Sequence, residues 1–100
     1  MAKKVLMTLS GAENLGLDAL LFLAADETRL TRFLSLTGTD IAGLRKSADD
    51  PSMLAAVLEY LMQDESLLLV FTSSKDIEPD QVAPALAMLT RASIGPAHGH

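Results

Sequence analysis

Hydrophobic residues recur at spacings of three and four along most of the chain, which is the pattern of amphipathic helices. The clearest run has apolar side chains at i, i+3, i+4 and i+7: Leu54, Val57, Leu58 and Leu61. It follows Asp50-Pro51. Asp accepts hydrogen bonds from free amides at a helix start, and Pro at the first helical position lacks only an amide hydrogen that would be unpaired there. The sequence therefore predicts an amphipathic helix from Pro51.

Two earlier stretches show the same spacing. Ser10–Glu13 has the form of a capping box and precedes a periodic apolar run, so we predict a first helix over about residues 12–25. Asp26 is suited to cap a second helix, and Gly38 is suited to end it because glycine tolerates the left-handed C-cap conformation.

Short helices are also predicted on either side of the helix that starts at Pro51. Thr39 or Asp40 begins a third helix, and Asp64 caps a fifth over about residues 65–72. The run Leu67–Phe71 is apolar enough for a buried strand, but a lone strand would have no partner elsewhere in the chain. We therefore predict that this run is helical.

A sixth helix is predicted between Glu78-Pro79 and Gly95-Pro96. Pro84 lies within it and leaves two alternatives. It either kinks the helix, or it marks the true first turn and leaves residues 79–83 as a separate turn.

These elements predict one all-α domain, a compact bundle of five or six short helices over residues 10–94. The chain of 100 residues has the length of a single domain. We expect residues 1–9 to form a flexible N-terminal segment and residues 95–100 to form a flexible C-terminal tail.

A shift of 38 residues aligns the chain with itself without a gap. The shift places Asp26 on Asp64 and Phe33 on Phe71. The other matched pairs are Leu20 with Leu58, Phe22 with Tyr60, Leu23 with Leu61, Leu30 with Leu68, Asp40 with Glu78, and Leu44 with Val82. The bundle would then consist of two related three-helix units, and the alternative is chance similarity in a Leu-rich chain.

The two copies differ on one helix face, where Arg29 and Arg32 correspond to Leu67 and Val70. The fifth helix is therefore apolar on every side, and such a helix must be surrounded by other groups. Either its own chain covers it at the centre of the bundle, or its outer face binds a protein partner or forms a homodimer through residues 65–72. Leu67 and Val70 are the candidate partner-binding residues in the second case.

The amino-acid composition gives little support for an enzyme function. The chain has no Cys, and its two histidines, His98 and His100, lie in the predicted tail. The spacing of Asp76, Glu78 and Asp80 matches the start of a calcium loop, but Gln81 stands where that loop requires Gly. Glycine-rich phosphate loops are absent. We therefore expect no enzyme activity, cofactor or metal, and a small protein-interaction or adaptor domain as the function.

The alternative function is nucleic-acid binding through a helix–turn–helix made of the second and third helices. The candidate contacts are Arg29, Arg32, Arg45 and Lys46. The net charge of −5 argues against it, because phosphate is repelled by an acidic surface.

Membrane and export signals are weak. The longest purely apolar run, Ala19–Ala25, is far shorter than the roughly 20 residues of a membrane span. The apolar stretch after Lys3-Lys4 is too short for a signal peptide. We expect no membrane contact and a cytoplasmic location.

Several motifs together resemble a family of short, all-helical bacterial proteins that is grouped as a domain of unknown function. They are Leu-Ala-Ala-Asp-Glu at 23–27, Phe33-Leu34, Thr37-Gly38, Asp40 to Arg45, Leu54 to Leu61, and Asp64-Glu65 leading into Leu67 to Phe71. The resemblance covers about residues 15–90, and Pro84 departs from the family's pattern. It implies an all-helical fold and no particular activity, cofactor or partner.

Overall fold

A computed structural model describes residues 7–94 of the chain. Within that range the chain forms six α-helices and one short 3-10 turn, with no strand. The helices are α1 (Leu9–Ala24), α2 (Glu27–Thr37), α3 (Ile41–Lys46), α4 (Pro51–Met62), α5 (Glu65–Lys75) and α6 (Val82–Ile94), and the 3-10 turn spans Pro79–Gln81. The predicted all-α bundle is confirmed.

The centre of the bundle is formed by α1, α4 and α6, which pack on one another. Helix α2 lies against α1 and α4, whereas α5 packs chiefly on α4 and the 3-10 turn. The core side chains are almost all aliphatic. The largest that are fully buried are Phe33, Phe71, Leu23, Leu54, Leu58, Leu61, Leu89, Val57 and Val82. Burying one such side chain contributes roughly 1.5–3 kcal/mol, so this core stabilises the fold.

Three predicted helix starts are confirmed by side-chain hydrogen bonds. Oδ1 of Asp26 accepts from the amides of Thr28 (3.0 Å) and Arg29 (3.2 Å). The carboxylates of Asp50 and Asp64 accept from the Ser52 amide (2.9 Å) and the Leu67 amide (3.1 Å). Each carboxylate therefore satisfies amides that have no partner within the helix.

The first helix starts earlier than the sequence predicts. Its N-cap is Thr8, whose hydroxyl oxygen accepts from the Gly11 amide at 3.0 Å. The predicted capping box is wrong because Ser10 already lies inside the first turn. Met7 packs against the core, so residues 7–9 belong to the helical domain and not to a flexible segment. Residues 1–6 and the predicted tail, residues 95–100, lie outside the described residues.

Pro84 marks the first turn of the last helix and does not kink it. The chain forms the 3-10 turn first, and α6 then begins at Val82, with Pro84 as its third residue. The first four amides of a helix have no acceptor within the helix, so a residue without an amide hydrogen is tolerated there. The second alternative from the sequence is therefore the nearer one, but the separate turn is Pro79–Gln81 and not 79–83, and the helix already begins at Val82.

Residues 38 positions apart hold similar places in the fold. Besides the two Asp caps, Phe33 and Phe71 are both fully buried, in α2 and α5 respectively. Their ring contacts are reciprocal: Phe71 lies 5.3 Å from Phe22 of α1, and Phe33 lies 5.5 Å from Tyr60 of α4. The outer helix of each half thus contacts an aromatic ring on the long helix of the other half.

Candidate interaction surface

Helix α5 is held to the bundle by one side. Phe71 and Thr72 are buried, and the Thr72 hydroxyl donates to the Leu68 carbonyl oxygen at 3.0 Å. Leu67 and Leu68 are half-buried against the core. At about 100° per residue, these four positions cover one half of the helix circumference.

The opposite half of α5 is the candidate interaction surface, which we define as Ser66, Leu69, Val70 and Ser73. All four residues are exposed, with Leu69 at 44% and Val70 at 48%. The expectation that its own chain surrounds the fifth helix is therefore wrong. The central position belongs to α6, and α5 lies at the edge of the bundle.

The two candidate partner-binding residues differ in environment. Val70 lies in the candidate interaction surface, whereas Leu67 is half-buried at its border. Leu69 also belongs to the candidate interaction surface. The 38-residue comparison does not identify it, because that comparison selects only the positions that correspond to Arg29 and Arg32. A helical wheel could have identified it, because Leu69 lies about 200° around the helix from the buried Phe71.

The corresponding face of α2 is polar. Thr31 and Arg32, 38 positions before Leu69 and Val70, are both exposed. Together with Glu27 and Thr28 they line a shallow open depression. The two helices therefore differ at positions that are exposed in both: the side chains are polar in α2 and apolar in α5.

Arg29, the first of the four candidate nucleic-acid contacts, is engaged within the chain. Its guanidinium carbon lies 4.8 Å from the ring centre of Phe22, and its Nε lies 3.8 Å from Oδ2 of Asp26. The cation is therefore held by an aromatic face and by the α2 cap carboxylate.

Arg32, Arg45 and Lys46 are exposed, and the latter two lie in the last turn of α3. With six residues, α3 is about 9 Å long. Its leading end carries the Asp40 carboxylate, which accepts from the Gly43 amide at 2.8 Å. A recognition helix contacts DNA with its leading residues, and here those residues present a negative charge.

Within residues 7–94, no three acidic or histidine side chains come together as a metal site would require. The carboxylates of Asp26, Asp40, Asp50 and Asp64 accept from amides at helix starts. The hydroxyls of Thr37, Thr72, Ser74 and Ser93 donate to backbone carbonyl oxygens. His98 and His100 lie outside the described residues. The four carboxylates and four hydroxyls named above therefore have partners in the backbone of the helices.

The packed helices of residues 7–94 place the protein among small all-helical domains. A family model for a protein of unknown function, DUF3572, matches residues 10–92. The chain belongs to this family, which confirms the predicted resemblance to a domain of unknown function. Neither the curated proteins nor the solved structures contain a significant match.

None of the helices in the described range combines the length and the apolar character needed to cross a membrane.

Proposed function

We propose that this protein is a small non-catalytic interaction domain that binds a protein partner through the candidate interaction surface. The observation that carries the proposal is the exposure of two large apolar neighbours, Leu69 and Val70, on a helix whose other half is seated in the core. Contiguous exposed apolar groups on a soluble domain are typical of binding sites.

Other exposed apolar side chains support this choice of surface by contrast. Leu36 is 71% exposed, but it lies between the polar residues Ser35 and Thr37. Leu21 is exposed on the side of α1 away from the core, next to the half-buried Phe22. Single exposed apolar residues are common on protein surfaces and need no partner. Leu69 and Val70 differ because they are adjacent and both exposed.

We further propose that the two halves of the chain descend from one repeated unit, with α1 and α2 corresponding to α4 and α5. The matching Asp caps, the two buried Phe residues and the reciprocal aromatic contacts support this relation. The polar face of α2 would then be the version without a partner. The apolar face of α5 would be the version that has acquired one.

Affinity capture with matched variants tests the proposed function. We expect Val70→Arg to reduce recovery of the bound protein at least about tenfold, because a charge replaces an apolar contact at the centre of the surface. Leu36→Arg introduces the same charge on a more exposed leucine and should leave recovery unchanged.

Nuclease treatment of the same lysate separates the two functional alternatives. A partner that survives digestion and is lost only with Val70→Arg supports the protein-interaction domain. Loss of all bound material on digestion contradicts it and favours nucleic-acid binding through Arg32, Arg45 and Lys46. Equal recovery by Val70→Arg and the unaltered chain also contradicts the proposal.

A further inference from the structure

The charges around α5 indicate which kind of partner fits the candidate interaction surface. Residues 49–80 contain eight acidic residues and a single basic residue, Lys75. All eight carboxylate side chains are exposed. They belong to Asp49, Asp50, Glu59, Asp64, Glu65, Asp76, Glu78 and Asp80. Residues 49–80 therefore carry most of the acidic side chains of the protein.

Three of these eight carboxylates lie at the two ends of α5. Asp64 and Glu65 stand at the start of α5, and Asp76 stands at its end in a left-handed C-cap conformation (φ 55°). The surface thus has an apolar centre, Leu69 and Val70, and acidic residues at both ends of its helix. We call Asp64, Glu65 and Asp76 its acidic border.

We propose that the partner presents an amphipathic helix with an apolar stripe bordered by Lys and Arg. This inference rests on the proposed function, since it specifies the partner of the same surface. Such a helix would place its stripe on Leu69 and Val70. Its cations would face the carboxylates at both ends of α5, and complementary charge of this kind raises the association rate and rejects wrong partners.

A second copy of the chain fits this surface less well. Pairing two α5 helices would bring the acidic borders of both copies together, and like charges across an interface oppose association. Only Lys75 could offset that repulsion. The same border repels phosphate and anionic lipid, so neither nucleic acid nor a membrane surface provides the required charge.

The small residues of the surface suit a helical partner. Ser66 and Ser73 lie one turn before and after the Leu69–Val70 pair. Their short side chains allow a second helix to approach the α5 backbone on both sides of the apolar centre. The 11 residues of α5 give a contact line of about 16 Å, or about three turns of a partner helix. The interface is therefore shorter than that of a typical permanent complex, and we expect micromolar binding.

Binding of designed peptides to the full chain tests this inference. The probe is a labelled helical peptide with a Leu stripe and a Lys/Arg border, and the matched peptide has the same stripe with a Glu border. We expect the cationic peptide to bind at least about tenfold more tightly than the acidic one, with an affinity that falls as salt is raised. Val70→Arg should weaken cationic-peptide binding about tenfold or more.

Charge-neutral variants supply the controls. Glu65→Gln with Asp76→Asn should weaken the cationic peptide about threefold to tenfold, since Asn also tolerates the left-handed conformation at position 76. Glu27→Gln changes the corresponding position of α2 and should leave binding unchanged. Val70→Ser removes the apolar contact without adding a charge and should also weaken cationic-peptide binding. A surface that only attracts cations nonspecifically would respond to the charge variants but not to Val70→Ser, and that result would overturn the inference.

Two further results would also overturn this inference, and in each case the proposed function can be judged independently of it. If the cationic peptide fails to bind but Val70→Arg still loses a captured protein, the interaction domain stands and the partner chemistry is wrong. If the chain forms a dimer that Val70→Arg dissociates and the peptide does not displace, the surface is occupied by a second copy instead.

Discussion

Replacing Phe71 by Ala is expected to lower the free energy of unfolding by about 3–5 kcal/mol. The ring is fully buried and lies 5.3 Å from the ring of Phe22, so it attaches α5 to α1. Truncation would leave a cavity where α5 meets the core. Small domains have a total stability of only about 5–15 kcal/mol, so this loss leaves the variant close to unfolding.

Urea denaturation followed by helical circular dichroism measures the effect. Phe33→Ala should cost a similar amount, because Phe33 is equally buried and attaches α2 to Tyr60 of α4. Leu36→Ala is the control, with an expected change within about 0.5 kcal/mol at an exposed position. A loss below about 1 kcal/mol for Phe71→Ala would contradict the packing described for α5.

Replacing Gly16 by Leu is expected to cost at least about 2–3 kcal/mol, because α1 and α4 approach each other closely at this residue. A Cβ on Gly16 would lie 2.9 Å from the Cβ of Leu54. Leu54 is also almost fully buried, and Leu54→Gly should cost a comparable or larger amount through the cavity it leaves.

The exchange of these two residues tests the close crossing of α1 and α4. Gly16 and Leu54 are 38 positions apart, so related halves should place them at equivalent positions on the two crossing helices. The double variant Gly16→Leu with Leu54→Gly restores one glycine and one leucine at the crossing. We expect it to recover about 2 kcal/mol or more relative to the sum of the single changes, as measured by a double-mutant cycle in urea. Simple additivity would contradict the close approach of α1 and α4 at this crossing.

The local features of the fold could be predicted because they depend on neighbouring residues. The carboxylates of Asp26, Asp50 and Asp64 identify helix starts, since an N-cap bonds amides only two or three residues away. The sequence misplaces the start of α1 because a local pattern cannot choose between two nearby capping residues. Thr8 and Ser10 both carry a suitable hydroxyl, and the sequence pattern alone favoured the wrong one.

The position of α5 could not be predicted from its own residues. An apolar helix face is compatible either with burial or with a binding surface, and the outcome depends on where distant helices pack. Here α1, α4 and α6 pack on one another at the centre, and α5 is left with one side uncovered. The comparison of the two halves selects Leu67 and Val70 as candidates, whereas the exposure of Leu69 and the half-burial of Leu67 depend on the three-dimensional arrangement.

The central claim is that the folded chain leaves the Leu69–Val70 side of α5 open. Urea unfolding of Val70→Arg, at a concentration too low for self-association, tests it most directly. The account predicts a free energy of unfolding within about 0.5 kcal/mol of the unaltered chain, because the arginine head reaches water. A loss of several kcal/mol would mean that Val70 is enclosed by its own chain, and it would contradict the claim.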